Sequence, residues 1–326
     1  MSFTSIPGFQ INNQIVKPSV RGSIFYVGGI GPGNYSSIKE AIKNATDGDT
    51  IFVFSDSSPY YENVALGKSI NLIGEDKNTT TIVGTISFGA YYATISRFTI
   101  RNRDGVYAHS GYANIIDNNI IYNSRGIDLG NSGDNRIIGN NISNNRGCGI
   151  EAWFYWGGNK IIGNIIKSNE GTGIWFAPTG GWNIIKDNVI ADHGCGISLM
   201  DGGNNSITGN VIISNTGIGI DLFCGGNTVT RNSFQNNDIG LMEIGSNVIE
   251  YNNFIGNDVH TTFHYRGIRA IFSTSRNLNY WDRPRLLPYP IFGRVGFFGL
   301  IPWIEFDWNP AKEPYDITTT IQGCGI

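Results

Sequence analysis

The sequence predicts an all-β protein wound as a single-stranded right-handed parallel β-helix, closed by a short capping helix at its N-terminal end and an irregular cap at the other. Three observations carry this: an excess of turn-forming residues, a ladder of asparagines recurring about every 22 residues, and short apolar-variable-apolar segments that move with the ladder. Of 326 residues 44 are Gly and 38 are Asn, a quarter of the chain in two residue types that favour bends over helices. Asn118, Asn140, Asn164, Asn188, Asn210, Asn232 and Asn252 recur at spacings of 22, 24, 24, 22, 22 and 20. A period of this size marks stacked structural repeats.

Other columns move with the ladder. Three residues before each Asn stand Ile115, Ile137, Ile161, Ile185, Ile207, Val229 and Ile249; two residues after stand Ile120, Ile142, Ile166, Ile190, Ile212, Phe234 and Phe254. Five residues after comes a second polar ladder, Asn123, Asn145, Asn169, His193, Asn215, Asn237 and Asn257. A third segment reads Ile127-Asp128-Leu129, Ile150-Glu151-Ala152, Ile174-Trp175-Phe176, Ile197-Ser198-Leu199 and Ile220-Asp221-Leu222. Each repeat therefore holds short strands joined by Asn/Gly bends. Inward Asn side chains at a bend can bond those of the coils above and below, which gives the ladders a structural role.

Less regular coils extend backwards through Ile95, Phe98, Ile100 and Val106, then Ile82-Val83, Ile70-Asn71-Leu72-Ile73 and Ile51-Phe52-Val53-Phe54. Before them Ile38, Ala41, Ile42 and Ala45 lie at helical spacing, with Ser36 or Ser37 as N-cap and Gly48 beyond the end. Such a helix can cover the open end of the coil stack. The expected organisation is an N-terminal extension over 1–23, the β-helix with its N-terminal cap over 24–259, and a Pro/Trp/Tyr-rich C-terminal cap over 260–326.

Composition excludes some functions. With 15% charged residues and a net charge of −3, the chain has no basic surface for nucleic acid or an anionic bilayer. Residues 286–304 are apolar but contain Arg294, Pro288, Pro290 and Pro302, which argues against a membrane-spanning helix. Residues 1–23 lack the charged start and apolar run of a secretory signal. Four cysteines make no disulfide framework: Cys148 and Cys195 lie two coils apart in one column with Thr172 between them, beyond disulfide reach, and Cys224 and Cys324 have no assignable partner. His260 and His264 lack a third ligand, so no metal site is assigned. Glycosylation-type matches at Asn34, Asn44, Asn78, Asn141 and Asn204 are what an Asn-rich chain produces by accident.

Tyr26-Val27-Gly28-Gly29, the runs GPGNYSSIKEAIKNATDGDTIFV and YYENVALGKSINLIGEDKNTTTIVG, and the following GN-I-x-x-N-x-GI coils resemble the NosD-like, pectin-lyase-like β-helix proteins of archaeal and bacterial surfaces, over residues 24–282. The resemblance implies a secreted or cell-surface β-helix of the carbohydrate-binding and sugar-hydrolase type. In some relatives it implies a role in maturing a copper site.

Chemistry is expected on one outward column, Tyr107, Asp128, Glu151, Trp175, Ser198, Asp221 and Gly240, the middle residues of the third segment. Asp128 and Glu151 on adjacent coils lie about 5 Å apart at their backbones. That spacing suits the carboxylate pair of a retaining glycosidase, with Asp201 or Asp221 as a more distant partner. A polysaccharide lyase would instead use the carboxylates to hold a cation such as Ca2+ and take Arg125 or Arg146 as base. Trp153, Phe154, Tyr155 and Trp156, with Trp175, Phe176 and Trp182, form an aromatic cluster beside the pair that could stack on sugar rings. The sequence leaves open a non-catalytic polysaccharide-binding module, a lyase or glycoside hydrolase using Asp128 and Glu151, and the metal-site accessory role. Oligomeric state is open as well.

Overall fold

The structure is a computed structural model that describes residues 22–153, 156–177, 180–200, 202–266, 274–296 and 298–317. Among these, strands of mostly three residues assemble into three long sheets, which form the three faces of a β-helix. Every coil visits the faces in the same order, as in Arg136–Ile138, Asn141–Ser143 and Ile150–Ala152, before Lys160–Ile162 opens the next. Within the coils, neighbours pair in parallel and in register: Ile115 with Ile137, Ile120 with Ile142, Ile127 with Ile150. Each of these inward isoleucines is fully buried, which contributes roughly 1.5–3 kcal/mol apiece. The helix Ile38–Asn44 forms as expected, with Ser37 Oγ accepting from the Glu40 N–H and Ile38, Ala41 and Ile42 buried. Among the described residues no helix is long and apolar enough to cross a membrane.

The corners decide which residues the repeat can use. An Asn Oδ1 at each corner accepts the backbone N–H of the Asn one coil earlier: Asn140 to Asn164 at 2.9 Å, Asn164 to Asn188 at 2.9 Å, Asn188 to Asn210 at 3.0 Å. The Asn164 Nδ2 donates to Ile137 O at 2.9 Å and to Asn188 Oδ1 at 3.0 Å. The second ladder runs alike from Asn123 through Asn145 and Asn169. His193 takes its place in that column 3.2 Å from Asn169 Nδ2, and burial pushes its pKa down to about 4, leaving it neutral. A third ladder, absent from the sequence reading, joins Asn135, Asn159, Asn183, Asn205, Asn227 and Asn247 at the corner between the third face and the next coil.

The residue before a ladder position adopts left-handed backbone, as at Gly139 (φ 66°), Gly163 (φ 64°) and Asp187 (φ 55°). Side chains other than Gly, Asn and Asp strain there by roughly 1–2 kcal/mol. The recurring Gly-Asn and Asp-Asn pairs thus have one cause.

The parallel register runs past residue 259, where the sequence period ends. Ser275–Asn277 and Tyr280–Trp281 join the first and second faces, and Tyr289–Val295 joins the third. The coil here is stretched to 27 residues between Asn252 and Asn279, yet the ladder bond persists at 3.0 Å and ends on Asp307 Oδ2. The isoleucine column changes to rings: Phe234, Phe254, Trp281 and Tyr289 stack at 4.6, 4.6 and 4.2 Å. Ile301–Asp307 then pairs antiparallel with Tyr289–Val295 and closes the stack. Buried Arg276 pins this hairpin, bonding Glu243 of the last regular coil and Glu305 of the final strand.

The outward column needs one correction. Met242, rather than Gly240, aligns with Asp221, because Ile239 pairs with Ile218 and Leu241 with Ile220. The third-face strands have lengthened to five residues by this point, so Ile239-Gly240-Leu241 imitates the expected triplet two residues early. Cys148, Cys195 and Cys224 are reduced, and Cys324 lies outside the described residues.

Replacing Asn164 by Ala should orphan backbone groups on two coils, costing about 3 kcal/mol or more. Asn131→Ala, at an exposed position whose backbone is not left-handed, should cost under about 1 kcal/mol. Urea unfolding of both variants checks the difference.

Candidate functional site

Strand register on the third face places Tyr107, Asp128, Glu151, Trp175, Ser198 and Asp221 in one line, one residue per coil. Alternation sends these side chains away from the isoleucine core. Asp128 and Glu151 are nevertheless only 5% exposed each. Arg125, from the bend before the Ile127–Asp128 strand, spans the two: its Nε lies 2.9 Å from Glu151 Oε1 and its Nη1 3.3 Å from Asp128 Oδ2. His109 Nε2 approaches Asp128 Oδ1 to 3.3 Å, and the Gly130 N–H donates to the same oxygen at 2.8 Å. Gly130 has φ +52°, and a Cβ there would sit 2.6 Å from the His109 ring. Glycine at this position is what lets the imidazole reach the carboxylate.

The environments of the two carboxylates pull their pKa values apart. Burial works to raise that of Asp128, but the His109 hydrogen bond, the Gly130 N–H and the charges of His109 and Arg125 outweigh it, and the pKa falls below the usual value. For Glu151 burial dominates and raises the pKa, with the Asp128 charge adding to it, against the opposing pull of Arg125, Trp153 and Cys148. Its Oε1, though close to Arg125 Nε, has no aligned hydrogen-bond donor. A carboxyl group whose pKa is raised next to one whose pKa is lowered is the division of roles that acid–base chemistry uses.

The remaining expected residues fall into separate places. Trp153 and Trp175 meet edge to face at 4.5 Å beside Glu151. Trp156 and Trp182 are 64% and 71% exposed at the corner that follows the third face, rather than on the face itself. Arg146 is exposed and forms no ion pair with either carboxylate. Phe154, Tyr155 and Asp201 lie outside the described residues. Asp221 is three coils from Glu151, roughly 14 Å, too far to act as its partner. Burial raises the Asp221 pKa to about 6, and its Oδ1 has no hydrogen bond. Burial also raises Cys148 to about 11 and Cys195 to about 12, so neither is an activated nucleophile.

Arg125 does not fit the role of base. The adjacent carboxylates overcome the effect of burial and raise its pKa further, so it acts as a fixed cation between them. Among the described residues no three His, Cys, Asp or Glu side chains gather as a metal site. The sequence reading did not include His109. Its position, two residues beyond Tyr107 as Gly130 is beyond Asp128, is the pattern that would have found it.

Comparison with known proteins agrees with this architecture. Residues 84–234 and 177–279 match the family described as the right-handed beta helix region. Among solved structures, pectate lyase Pel9A is 15% identical with a TM-score of 0.52, over 79% of this chain and 75% of that one. A mannuronic acid specific polysaccharide family 6 lyase from human gut microbiota is 13% identical (TM-score 0.49), over 79% of this chain and 86% of that one. A mutant form of the periplasmic alginate epimerase AlgG is 14% identical (TM-score 0.47), over 86% and 84%. No curated protein matches the sequence. At these identities the likeness is one of fold.

Asp221 supplies a test of the burial of this face. A folded-state pKa of about 6 against an ordinary value of 3.8 means that the folded protein holds the proton more tightly. Its contribution is therefore fully present below pH 4 and is lost as pH rises through about 6, a cost of roughly 2–3 kcal/mol by neutral pH. Asp221→Asn should raise the melting temperature at pH 8 and leave it nearly unchanged at pH 4. Thermal melts across that range measure it.

Proposed function

We propose that this chain, which belongs to the right-handed β-helix family, binds polysaccharide on the outward side of its third face. The observation that carries the reading is the Trp153–Trp175 pair standing directly beside the Asp128–Arg125–Glu151 group. Edge-to-face indoles offer an apolar platform for a sugar ring, and the charged group offers donors and acceptors for its hydroxyls. A rigid sheet fixes both relative to each other, so little ordering is required on binding. The fold shared with pectate lyase Pel9A supports this by analogy. Such a protein meets its ligand outside the cell or at its surface.

A second reading, glycoside hydrolysis, is favoured by the opposite pKa shifts of Glu151 and Asp128 on adjacent coils. Glu151 would protonate the leaving oxygen while Asp128 acts as nucleophile, at a backbone spacing of about 5 Å that fits retention. In the lyase reading Arg125 is held by both carboxylates, which leaves Arg146, paired with neither, as the base.

The test exposes the protein to acidic and neutral polysaccharides with and without calcium, measuring retention together with released reducing ends and unsaturated products. Trp153→Ala/Trp175→Ala should weaken retention about ten-fold or more, from the loss of roughly 0.5–1.5 kcal/mol per ring contact. Full retention by that variant would overturn the binding reading. Reducing ends released without unsaturated products, and lost in Asp128→Asn/Glu151→Gln, would establish hydrolysis, whereas reducing ends accompanied by unsaturated products would restore the lyase.

A further inference from the structure

At the corner between the third face and the next coil, the residue two places before the first-face strand is left-handed in seven consecutive coils. Asp134, Gly158, Asn204 and Gly226 occupy it in four coils, with φ of 56°, 75°, 63° and 80°. These are residue types that tolerate such backbone. In three other coils the position holds Tyr92, Tyr112 and Trp182, with φ of 61°, 51° and 67°. Bulky residues also take left-handed backbone at the first corner, where Arg97 and Arg231 do so, so the conformation alone signals nothing. What distinguishes the third corner is number: it holds three exposed aromatics, at 64%, 42% and 71%, where the second corner has Tyr122 alone and the first Tyr251 alone.

The rings form a strip. Tyr92 and Tyr112 lie 5.0 Å apart, and Tyr91 packs against both at 6.4 and 6.0 Å. Trp156 flanks the next coil, where a Cβ on Gly133 would stand 3.2 Å from its own. Trp182 lies four coils from Tyr92, so the strip runs roughly 19 Å along the helix axis. Aromatic side chains left in water at a strained position are not explained by folding, because the neighbouring coils show that Gly, Asn or Asp serves there.

We propose that this corner is a second binding strip, which takes an uncharged glycan chain lying along the helix axis with its sugar rings against Tyr92, Tyr112, Trp156 and Trp182. It rests on the polysaccharide-binding reading above and adds to it the direction and chemical class of the ligand. Corner segments 89–93, 109–113, 130–135, 153–159 and 177–183 contain no Lys or Arg. A uronate or sulfate chain would find no counter-charge within them; Arg136 and Lys160 are exposed on the adjoining face, two residues on. Polar edges suit hydroxyl groups: Tyr112 shares a hydrogen bond with Asp134, which holds the phenol protonated by raising its pKa. Phenol and indole rings pair an apolar face with a polar rim, as a pyranose does.

The test immobilises cellohexaose, xylohexaose and mannohexaose, with hexagalacturonate as the acidic control, and compares wild type with Tyr92→Asn/Tyr112→Asn and with Trp153→Ala/Trp175→Ala. Asn tolerates the left-handed backbone, so the tyrosine variant should melt at the same temperature or higher while losing at least ten-fold in affinity for a neutral hexasaccharide. A merely structural role would show the reverse, a lower melting temperature with affinity intact. Unchanged affinity in the tyrosine variant overturns the strip, as does a wild type that binds none of the neutral probes or only hexagalacturonate. A wild type that sediments as a dimer and becomes monomeric on Tyr→Asn substitution makes the strip a subunit contact and also overturns it. Loss confined to the tryptophan variant removes the strip and leaves the face reading standing; loss confined to the tyrosine variant does the opposite.

Discussion

Everything in this molecule depends on how a chain turns inward-facing corners without leaving peptide groups unpaired. A parallel coil satisfies its strand N–H and C=O groups against the coils on either side, but at each corner the ladder of bonds breaks. Buried unpaired groups would cost about 1–3 kcal/mol apiece, repeated at every coil. The asparagine side chain carries both a donor and an acceptor at a length that reaches the next coil, so one residue type closes the gap. Asn164 shows the whole device, receiving from Asn140 and giving to Ile137 O and Asn188. The left-handed residue in front of each Asn follows from the same turn. Faces and the ladder positions of all three corners are therefore tightly specified, and variation is pushed into the residues between ladder and strand and into the outward side chains.

That division explains where chemistry can reside. Because coils repeat at strand spacing, any two outward residues in one column have a separation set by counting coils. Asp128 and Glu151 cannot move apart, and the interaction between them is settled by what else reaches the pair. Arg125 reaches both, while His109 and Gly130 reach only Asp128. The asymmetry between two otherwise similar carboxylates thus comes from side chains one coil back and from a glycine that admits an imidazole. None of it comes from the strands themselves.

The legibility of the sequence follows the same line. Periodic constraints could be read because each is repeated in many coils: the isoleucine columns, two of the asparagine ladders and the position of Asp128 opposite Glu151 all stand where spacing puts them. The third ladder, Asn135 to Asn247, has the same spacings and sits five residues before the first, so it carries the same periodic signal. Features made by single contacts were not legible. The salt bridges of Arg125, the approach of His109 and the pinning of the C-terminal hairpin by Arg276 each join residues whose pairing no period announces. Gly240 falls outside the column for a related reason: when the strands lengthen, an apolar-variable-apolar triplet loses its fixed offset from the ladder.

A rigid repeat also constrains how a ligand is recognised. Loops that close over a substrate can adapt to it, but a face built on continuous parallel ladders cannot, so complementarity must already exist in the spacing. A linear polymer is the natural match, since it too repeats at a fixed interval and can engage successive coils with the same contact. The face and the corner strip present different groups to such a polymer. On the face, a buried ion cluster would have to exchange its internal partners for ligand hydroxyls or a reacting bond, which favours one defined sugar at one defined place. Along the corner, exposed rings on segments that hold no Lys or Arg of their own ask mainly for stacking, which tolerates sliding and favours length. A chain held loosely over several coils by the corner would raise the concentration of its own sugars at the adjoining face, and a weak face site would then suffice.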